Sequence, residues 1–387
     1  MAEGSIDVLV IGAGPAGCAA AITAARGGAR VLVLDRARFP RPKTCGDAVS
    51  NRGARLVDRL CDRAGALTTI PHAVVEGAVA ILPDGARIAR SFGHDPGYIV
   101  PRLHLDDLLR RALEGAGVEL RQEVRVRQLL VEGGRTVGAA ADREQWRAPL
   151  TIAADGPGSL AWTALGQPYN RGRELAVAIT GYYEGVDFAD APGLSEHYFE
   201  TWLPCGYGWA FPPVEGLANV GVYQRADHFH RSRDKLPALL DRFVAAHPRR
   251  FSAATRQGPA RVWSLPLAIH GGPPVGPGLL TCGDAGRLID PLAGEGIWQA
   301  LHSGTLAGTH ALRALDGADE KAARDYRRAC VRSIVAPSLL RLGVQESMRL
   351  LIASGGYRRG AFRSLLRWGY GSDALEVSKG TDRGTAA

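Results

Sequence analysis

The residues best suited to chemistry fall in short groups along the 387-residue chain. The first is Gly12-Ala13-Gly14-Pro15-Ala16-Gly17, which follows the apolar run Val8-Leu9-Val10-Ile11 and opens an alanine-rich stretch. A second apolar run, Val31 to Leu34, stops on Asp35, eighteen residues after Gly17. Gly12 permits a tight turn, Gly14 lets the backbone approach a pyrophosphate, and Gly17 lets a helix pack closely on a sheet. A helix opening here offers free N–H groups and its positive dipole end to phosphates. Asp35 is placed to accept hydrogen bonds from ribose hydroxyls. Strand, loop, helix, strand and terminal acid in that order predict a dinucleotide site. A membrane span does not fit, because Ile6 to Ala25 holds three glycines and Pro15.

Two later groups extend the site. Asp155-Gly156 follows the apolar strand Leu150 to Ala154, as would a turn lining a pyrophosphate. Thr281-Cys282-Gly283-Asp284-Ala285-Gly286 follows another apolar run, and Asp284 could accept bonds from a ribityl hydroxyl. Just beyond, Asp290-Pro291-Leu292-Ala293-Gly294-Glu295-Gly296 places Gly294 and Gly296 before a helix. Small residues and free N–H groups there could pack against a flat ring and stabilise negative charge on it. In Gly206-Tyr207-Gly208-Trp209-Ala210-Phe211-Pro212, residues two apart share a strand face, so Tyr207, Trp209 and Phe211 form one aromatic wall. Such a wall suits a long apolar or planar substrate. Cys45 lies in the loop Arg36 to Ser50, between two polar, glycine-containing turns.

The elements that must hold these groups can be read more coarsely. Helices are expected over Asn51 to Ala64, from Pro101 to Leu113, over Leu236 to Ala246, and from near Gly296. Strands are expected in short runs between Ile70 and Phe92, at Val118 to Leu120, near Val124 to Val131, and repeatedly from Glu174 to Gln224. After about Ala318 the chain reads as helical, with breaks at Pro337 and Gly355-Gly356. The fold class is α/β: a Rossmann-type nucleotide-binding domain with an inserted antiparallel β-sheet substrate domain and a C-terminal helical segment. The nucleotide-binding domain takes residues 1–70, 95–165 and 275–320, the substrate domain 71–94 and 166–274, and the helical segment 321–387.

Composition sets bounds. Hydrophobic content of 46% and charged content of 22% describe a soluble globular protein. The first strand begins within six residues, which leaves no room for a signal peptide. Six scattered cysteines with no CxxC and no metal-like spacing read as reduced thiols of a cytoplasmic protein without a metal site. The net charge of +8 is spread along the chain and argues against nucleic acid. From Lys321 onward, however, thirteen Lys+Arg face five Asp+Glu, a surplus that fits an anionic substrate, peripheral contact with an anionic membrane, or a solvated basic face.

The three ordered nucleotide motifs together resemble the FAD-dependent enzymes of the p-hydroxybenzoate hydroxylase-like fold, over about residues 1–320. The resemblance implies FAD as cofactor and Arg102 as a further contact. It fills out the cofactor set with Pro15, Ala16, Arg36, Cys45, Gly46, Asp47, Ala48, Pro291 and Ile297. More narrowly, Lys43-Thr44-Cys45-Gly46-Asp47-Ala48 and the Tyr-x-Trp-x-Phe-Pro segment are similar to those of geranylgeranyl reductases and their actinobacterial relatives that reduce menaquinone side chains. This implies hydride delivery from reduced FAD to an alkene of an isoprenoid or other apolar intermediate. Cys45 would then lie nearest the reacting carbon, as acid or positioning group, with Tyr207 and Trp209 as the catalytic wall. A thiol with an ordinary pKa of about 8.5 is mostly protonated at neutral pH, which suits proton donation. A monooxygenase that binds oxygen at flavin C4a is the alternative. A halogenase is disfavoured because no lysine occurs from Arg52 to Arg102. A prenyl carrier of the Rab escort type is disfavoured by the intact Gly283-Asp284 and Cys45 region. With no second GxGxxG, NAD(P)H would bind transiently or a reduced carrier would serve.

Overall fold

The run Val8–Ile11 sits in the middle of a six-stranded sheet, and its burial on both faces explains why it carries no polar residue. A computed structural model describes residues 5–231 and 234–360 of the chain. The sheet runs Val275–Gly276, Leu279–Thr281, Leu150–Ala153, Val8–Ile11, Val31–Leu34, Glu119–Arg121, and its pairs are parallel apart from the outermost hairpin. Helix Pro15–Arg26 links Val8–Ile11 to Val31–Leu34 and packs against Ile297–Arg313. That contact depends on small residues: a Cβ at Gly304 or Gly308 would come within 2.2 or 2.4 Å of the Ala16 or Ala20 carbonyl oxygen. A three-stranded meander, Gln128–Glu132, Arg135–Ala140 and Gln145–Arg147, covers the other face, where Trp146 packs with Leu9, Ile11, Leu32 and Leu34.

The inserted sheet has seven strands in the order Thr255–Pro266, Leu175–Glu184, Ala218–Arg225, Gly206–Ala210, Leu194–Tyr198, Gly77–Ile81, Arg87–Ser91. Every pair is antiparallel except Leu194–Tyr198 with Gly77–Ile81. Helix Leu236–Ala246 lies on one face with Leu239, Leu240 and Phe243 buried, and Phe243 occupies the space above Gly208, where a Cβ would meet it at 2.4 Å. The opposite face turns toward the nucleotide layer.

The elements expected from the sequence are present, with shifted ends. The strand expected near Val124 starts at Gln128, and the helix from Asn51 ends at Cys61 on a left-handed Asp62. Thr255–Pro266 was not expected to be a strand. Its residues are mostly exposed and include Pro259, so no alternation marks it, which is the usual state of an edge. Pro337 does not break the C-terminal helices. It sits in the first turn of Ala336–Ala353, after a π-helical turn at Val331–Val335, where its missing N–H costs little. Residues 361–387, with much of the basic tail, lie outside the described residues. Among the described residues, no helix is long and apolar enough to cross a membrane.

Candidate active site

The glycine loop and the facing turn form an open cradle. Gly12 has φ +99°, and a Cβ on it would stand 2.5 Å from the Ala154 carbonyl oxygen, so the loop passes tightly over the next strand. At Gly17 a Cβ would fall 1.8 Å from the Gly12 carbonyl oxygen. Gly14 and Gly156 instead face open space, with nothing within 4 Å of a would-be Cβ. No side chain caps the helix that starts at Pro15, so its first N–H groups are free for an anion. Asp35 is buried and accepts from the backbone N–H of Ala13 (2.7 Å) and Ala37 (2.8 Å), which ties the glycine loop to the end of the second strand.

On the far side, Asp155 accepts from the Leu160 N–H at 2.9 Å through one oxygen, and its other oxygen is buried without a partner. Asp284 stands 3.5 Å from the Trp263 indole nitrogen. Gly296 opens helix Ile297–Arg313, again with no side-chain cap. Free N–H groups at two helix starts, a buried acid at the end of the second strand and an orphaned carboxylate oxygen make a donor and acceptor set of the kind FAD requires. The residues present therefore fit this cofactor.

The Cys45-Gly46-Asp47 turn joins this cradle to the inserted sheet. Asp47 has φ +63° and is fully buried. It accepts from the Arg102 N–H (3.3 Å), the Tyr182 hydroxyl (2.6 Å) and the Asn219 amide (2.8 Å). Asn219 spends its second N–H on the Cys45 carbonyl (2.9 Å), and its oxygen accepts from Thr180 (2.7 Å) and the Trp209 indole (3.0 Å). One amide thus links the cysteine loop, the buried acid and the aromatic wall. Burial pushes the Asp47 carboxyl up to about 6, against the hydrogen bonds from Tyr182 and Asn219. Burial also pushes the Cys45 thiol up, against the pull of the neighbouring Arg102 guanidinium.

The wall is built as expected from alternate residues of one strand. Tyr207, Trp209 and Phe211 follow one another at ring separations of 6.1 Å, the last two stacked. His197 packs on Tyr207 and Phe211 at 5.4 and 5.6 Å, and burial pushes it down to about 4, so the wall is uncharged at neutral pH. Two loops meet the wall. A Cβ at Gly46 would touch Phe211 at 3.4 Å, and one at Gly294 would touch Tyr223 at 3.1 Å. Tyr207 donates to the Ala293 carbonyl and Tyr223 to that of Pro291 (2.7 Å), which fastens the wall to the turn after Asp290.

A single cavity of about 1250 Å³ runs from Gly12 to Phe211. It brings together Gly12, Gly14, Pro15, Ala16, Asp35, Arg36, Cys45, Gly46, Asp47, Ala48, Arg102, Tyr207, Trp209, Asp155, Gly156, Gly283, Asp284, Gly294, Gly296 and Ile297. Gly17 and Pro291 do not line it. Gly17 packs beneath the loop, and the Pro291 carbonyl is taken by Tyr223 and Gln345.

Other residues of the site had no role assigned from the sequence. Lys43 lies 3.3 Å above the Trp263 ring inside the cavity, and burial together with Arg102 pushes its ammonium down to about 8. Asp106 is buried between Arg102 (2.7 and 2.8 Å) and Arg41 (3.1 Å). Lys43 meets a ring from a distant segment, and Asp106, although one helical turn from Arg102, is closed off by Arg41 from the cysteine loop. Away from the cavity, Cys205, His228 and Glu346 bring ligand-type atoms within 4.8 Å of one another. Glu346 there is held by Arg225 (2.6 Å) and Arg349 (2.9 Å), a poor setting for a cation.

Residues 5–249 match the family described as FAD binding domain. The menaquinone reductase of Mycolicibacterium smegmatis is 33% identical over 330 residues, 78% of this chain and 75% of that protein. The digeranylgeranylglycerophospholipid reductase of Thermoplasma volcanium is 29% identical over 366 residues, 89% of this chain and 90% of that protein. Among solved structures, a geranylgeranyl bacteriochlorophyll reductase-like protein of Thermoplasma acidophilum superposes with a TM-score of 0.82 at 25% identity, covering 97% of this chain and 94% of that one.

Proposed function

The chain belongs to the FAD binding domain family, in its geranylgeranyl reductase-like branch, and from that premise we propose that it reduces carbon–carbon double bonds of an isoprenoid or similarly apolar substrate. The observation that carries the reading is the continuity of the cavity. The nucleotide cradle and the aromatic wall share one space, with the Cys45-Gly46 loop at their junction.

FAD, when bound and reduced, supplies hydride. The chain's own residues do the rest. Tyr207, Trp209, Phe211 and neutral His197 form an apolar, water-excluding surface that holds an alkene in place, and placement alone can contribute several kcal/mol, roughly 7–11 at best. Cys45, kept protonated by burial, gives its Sγ proton to the alkene carbon that does not receive hydride, and the thiolate is reprotonated from solvent. Asp47 and Asn219 hold the cysteine loop against the wall. Electrons reach the flavin from NAD(P)H or a reduced carrier that docks transiently. An apolar substrate of this kind places the enzyme at the periphery of a membrane.

The test is anaerobic. The photoreduced holoprotein is mixed with a polyprenyl quinone or a geranylgeranylated glycerophospholipid, and flavin reoxidation is followed together with a product mass gain of two hydrogens. Cys45→Ala and Cys45→Ser are expected to lower turnover at least about tenfold while flavin content is kept. Full turnover in both variants would remove Cys45 from the reaction. Reduced flavin that no alkene reoxidises, but that forms a long-lived oxygen adduct in air, would favour oxygenation.

A further inference from the structure

Helix Ala336–Ala353 is turned inside out. Its inward side carries Ser338, Arg341, Gln345, Glu346 and Arg349. Arg341 pairs with Asp290, Gln345 donates to the Pro291 carbonyl (2.7 Å) and accepts from Arg225 (3.0 Å), and Glu346 accepts from Arg225 (2.6 Å). Its outward side shows Leu339, Leu340, Val344 and Leu350 to solvent, at 50, 74, 43 and 57% exposure. At about 100° per residue, Ala336, Gly343 and Ser347 fall in the same arc, so the exposed face bears no charge. A helix of a water-surrounded protein has the reverse arrangement.

The flanks of this face are basic. Exposed Arg332 precedes it, and exposed Arg358 and Arg359 follow it. Across residues 331–360 there are five arginines and one acid, Glu346, which points inward to Arg225. The inward side of the helix adjoins the site. A void of about 40 Å³ under the helix is lined by Leu292, Gln345, Met348 and Ile352, and Tyr207 of the aromatic wall lines both this void and the main cavity.

We propose that the Leu339–Leu340–Val344–Leu350 face lies in the headgroup layer of an anionic lipid membrane, with the flanking arginines on lipid phosphates. The idea rests on the reading of a lipid-like alkene as substrate and names the surface through which the enzyme meets it. A second copy of the chain docked about a twofold axis would set the same arginines against one another, whereas anionic lipid pairs them.

Full-length holoprotein is sedimented with vesicles of phosphatidylcholine alone and of phosphatidylcholine with an equal part of phosphatidylglycerol, at low and high salt. The expected result is binding to the anionic vesicles that weakens with salt, and at least about a tenfold loss of partitioning for Leu340→Glu. Val262→Ser, 49% exposed on the edge of the inserted sheet, should bind as the wild type does. Flavin content and circular dichroism show that each variant is folded. Equal binding of Leu340→Glu and wild type, equal binding to both vesicle types, or no binding by the wild type overturns the proposal. So does a dimer that Leu340→Glu dissociates, or vesicle binding gained only when residues 361–387 are removed, which would make that segment the cover. Sedimentation needs no turnover, so the two readings fail separately. A protein that binds vesicles but reduces no alkene loses its function reading and keeps its surface.

Discussion

Asn219 is the residue whose loss should reach furthest from its own position. The side chain is 1% exposed and makes four hydrogen bonds, to Asp47, Cys45, Thr180 and Trp209. In Asn219→Ala, Thr180 keeps a bond to the Val220 carbonyl (3.2 Å), and Asp47 keeps Tyr182 and Arg102. The Trp209 indole and the Cys45 carbonyl lose the partner described here, and a buried charge loses one of its donors. Stranding a buried polar group costs about 1–3 kcal/mol, and neighbouring losses do not simply add, so a total of about 3–5 kcal/mol is expected. Urea denaturation read by tryptophan emission and by flavin release measures it.

Asn219→Asp sharpens the test. It keeps the acceptor for Thr180 and Trp209 but sets a second carboxylate beside Asp47, whose own carboxyl already sits at about 6. The folded pair then holds a proton that the unfolded chain releases, so the variant loses stability as pH rises, and its deficit is larger at pH 8 than at pH 5. A cost below about 1 kcal/mol for Asn219→Ala, or a pH-independent deficit for Asn219→Asp, would refute the hub.

Three further outcomes are expected. Gly14→Ala has room for its methyl group and should fold as the wild type does, yet the methyl projects into the cradle, so flavin affinity should fall at least about tenfold, read by fluorescence titration of the deflavinated protein. Unchanged affinity would remove the loop from the cofactor site, and Gly12→Ala, blocked by the Ala154 carbonyl, should fail at the level of folding. For Asp47, the folded carboxyl at about 6 lies above its ordinary 3.8. The native state therefore binds more protons between those values, and its stability relative to Asp47→Asn should decline by about 2 kcal/mol as pH rises from about 4 to about 6, within a total of about 3 kcal/mol between about pH 3 and pH 7. Parallel pH profiles of the two proteins would contradict this.

The nucleotide layer was legible because its signals are local. Val8 to Asp35 carries strand, turn and helix requirements within thirty residues, and apolar runs buried on both faces, such as Leu150–Ala153, announce themselves. The aromatic wall was legible for the same reason, as a period of two in one strand. Asn219 and the place of Lys43 were not, because an amide in a strand or a lysine in a loop motif takes its role from partners 172 residues away (Asp47, for Asn219) or from a ring on the far sheet. Thr255–Pro266 was hidden by its exposure.

The strand order of the first sheet has a consequence for synthesis. Val8–Ile11 emerges first, but its neighbour Leu150–Ala153 stays an open edge until Leu279–Thr281 arrives to cover it. The inserted sheet likewise waits, since Gly77–Ile81 finds its parallel partner only in Leu194–Tyr198. A nascent chain must therefore shelter unpaired apolar edges until roughly three-quarters of it has left the ribosome, which makes slow folding and reliance on holding chaperones an intrinsic cost of this topology.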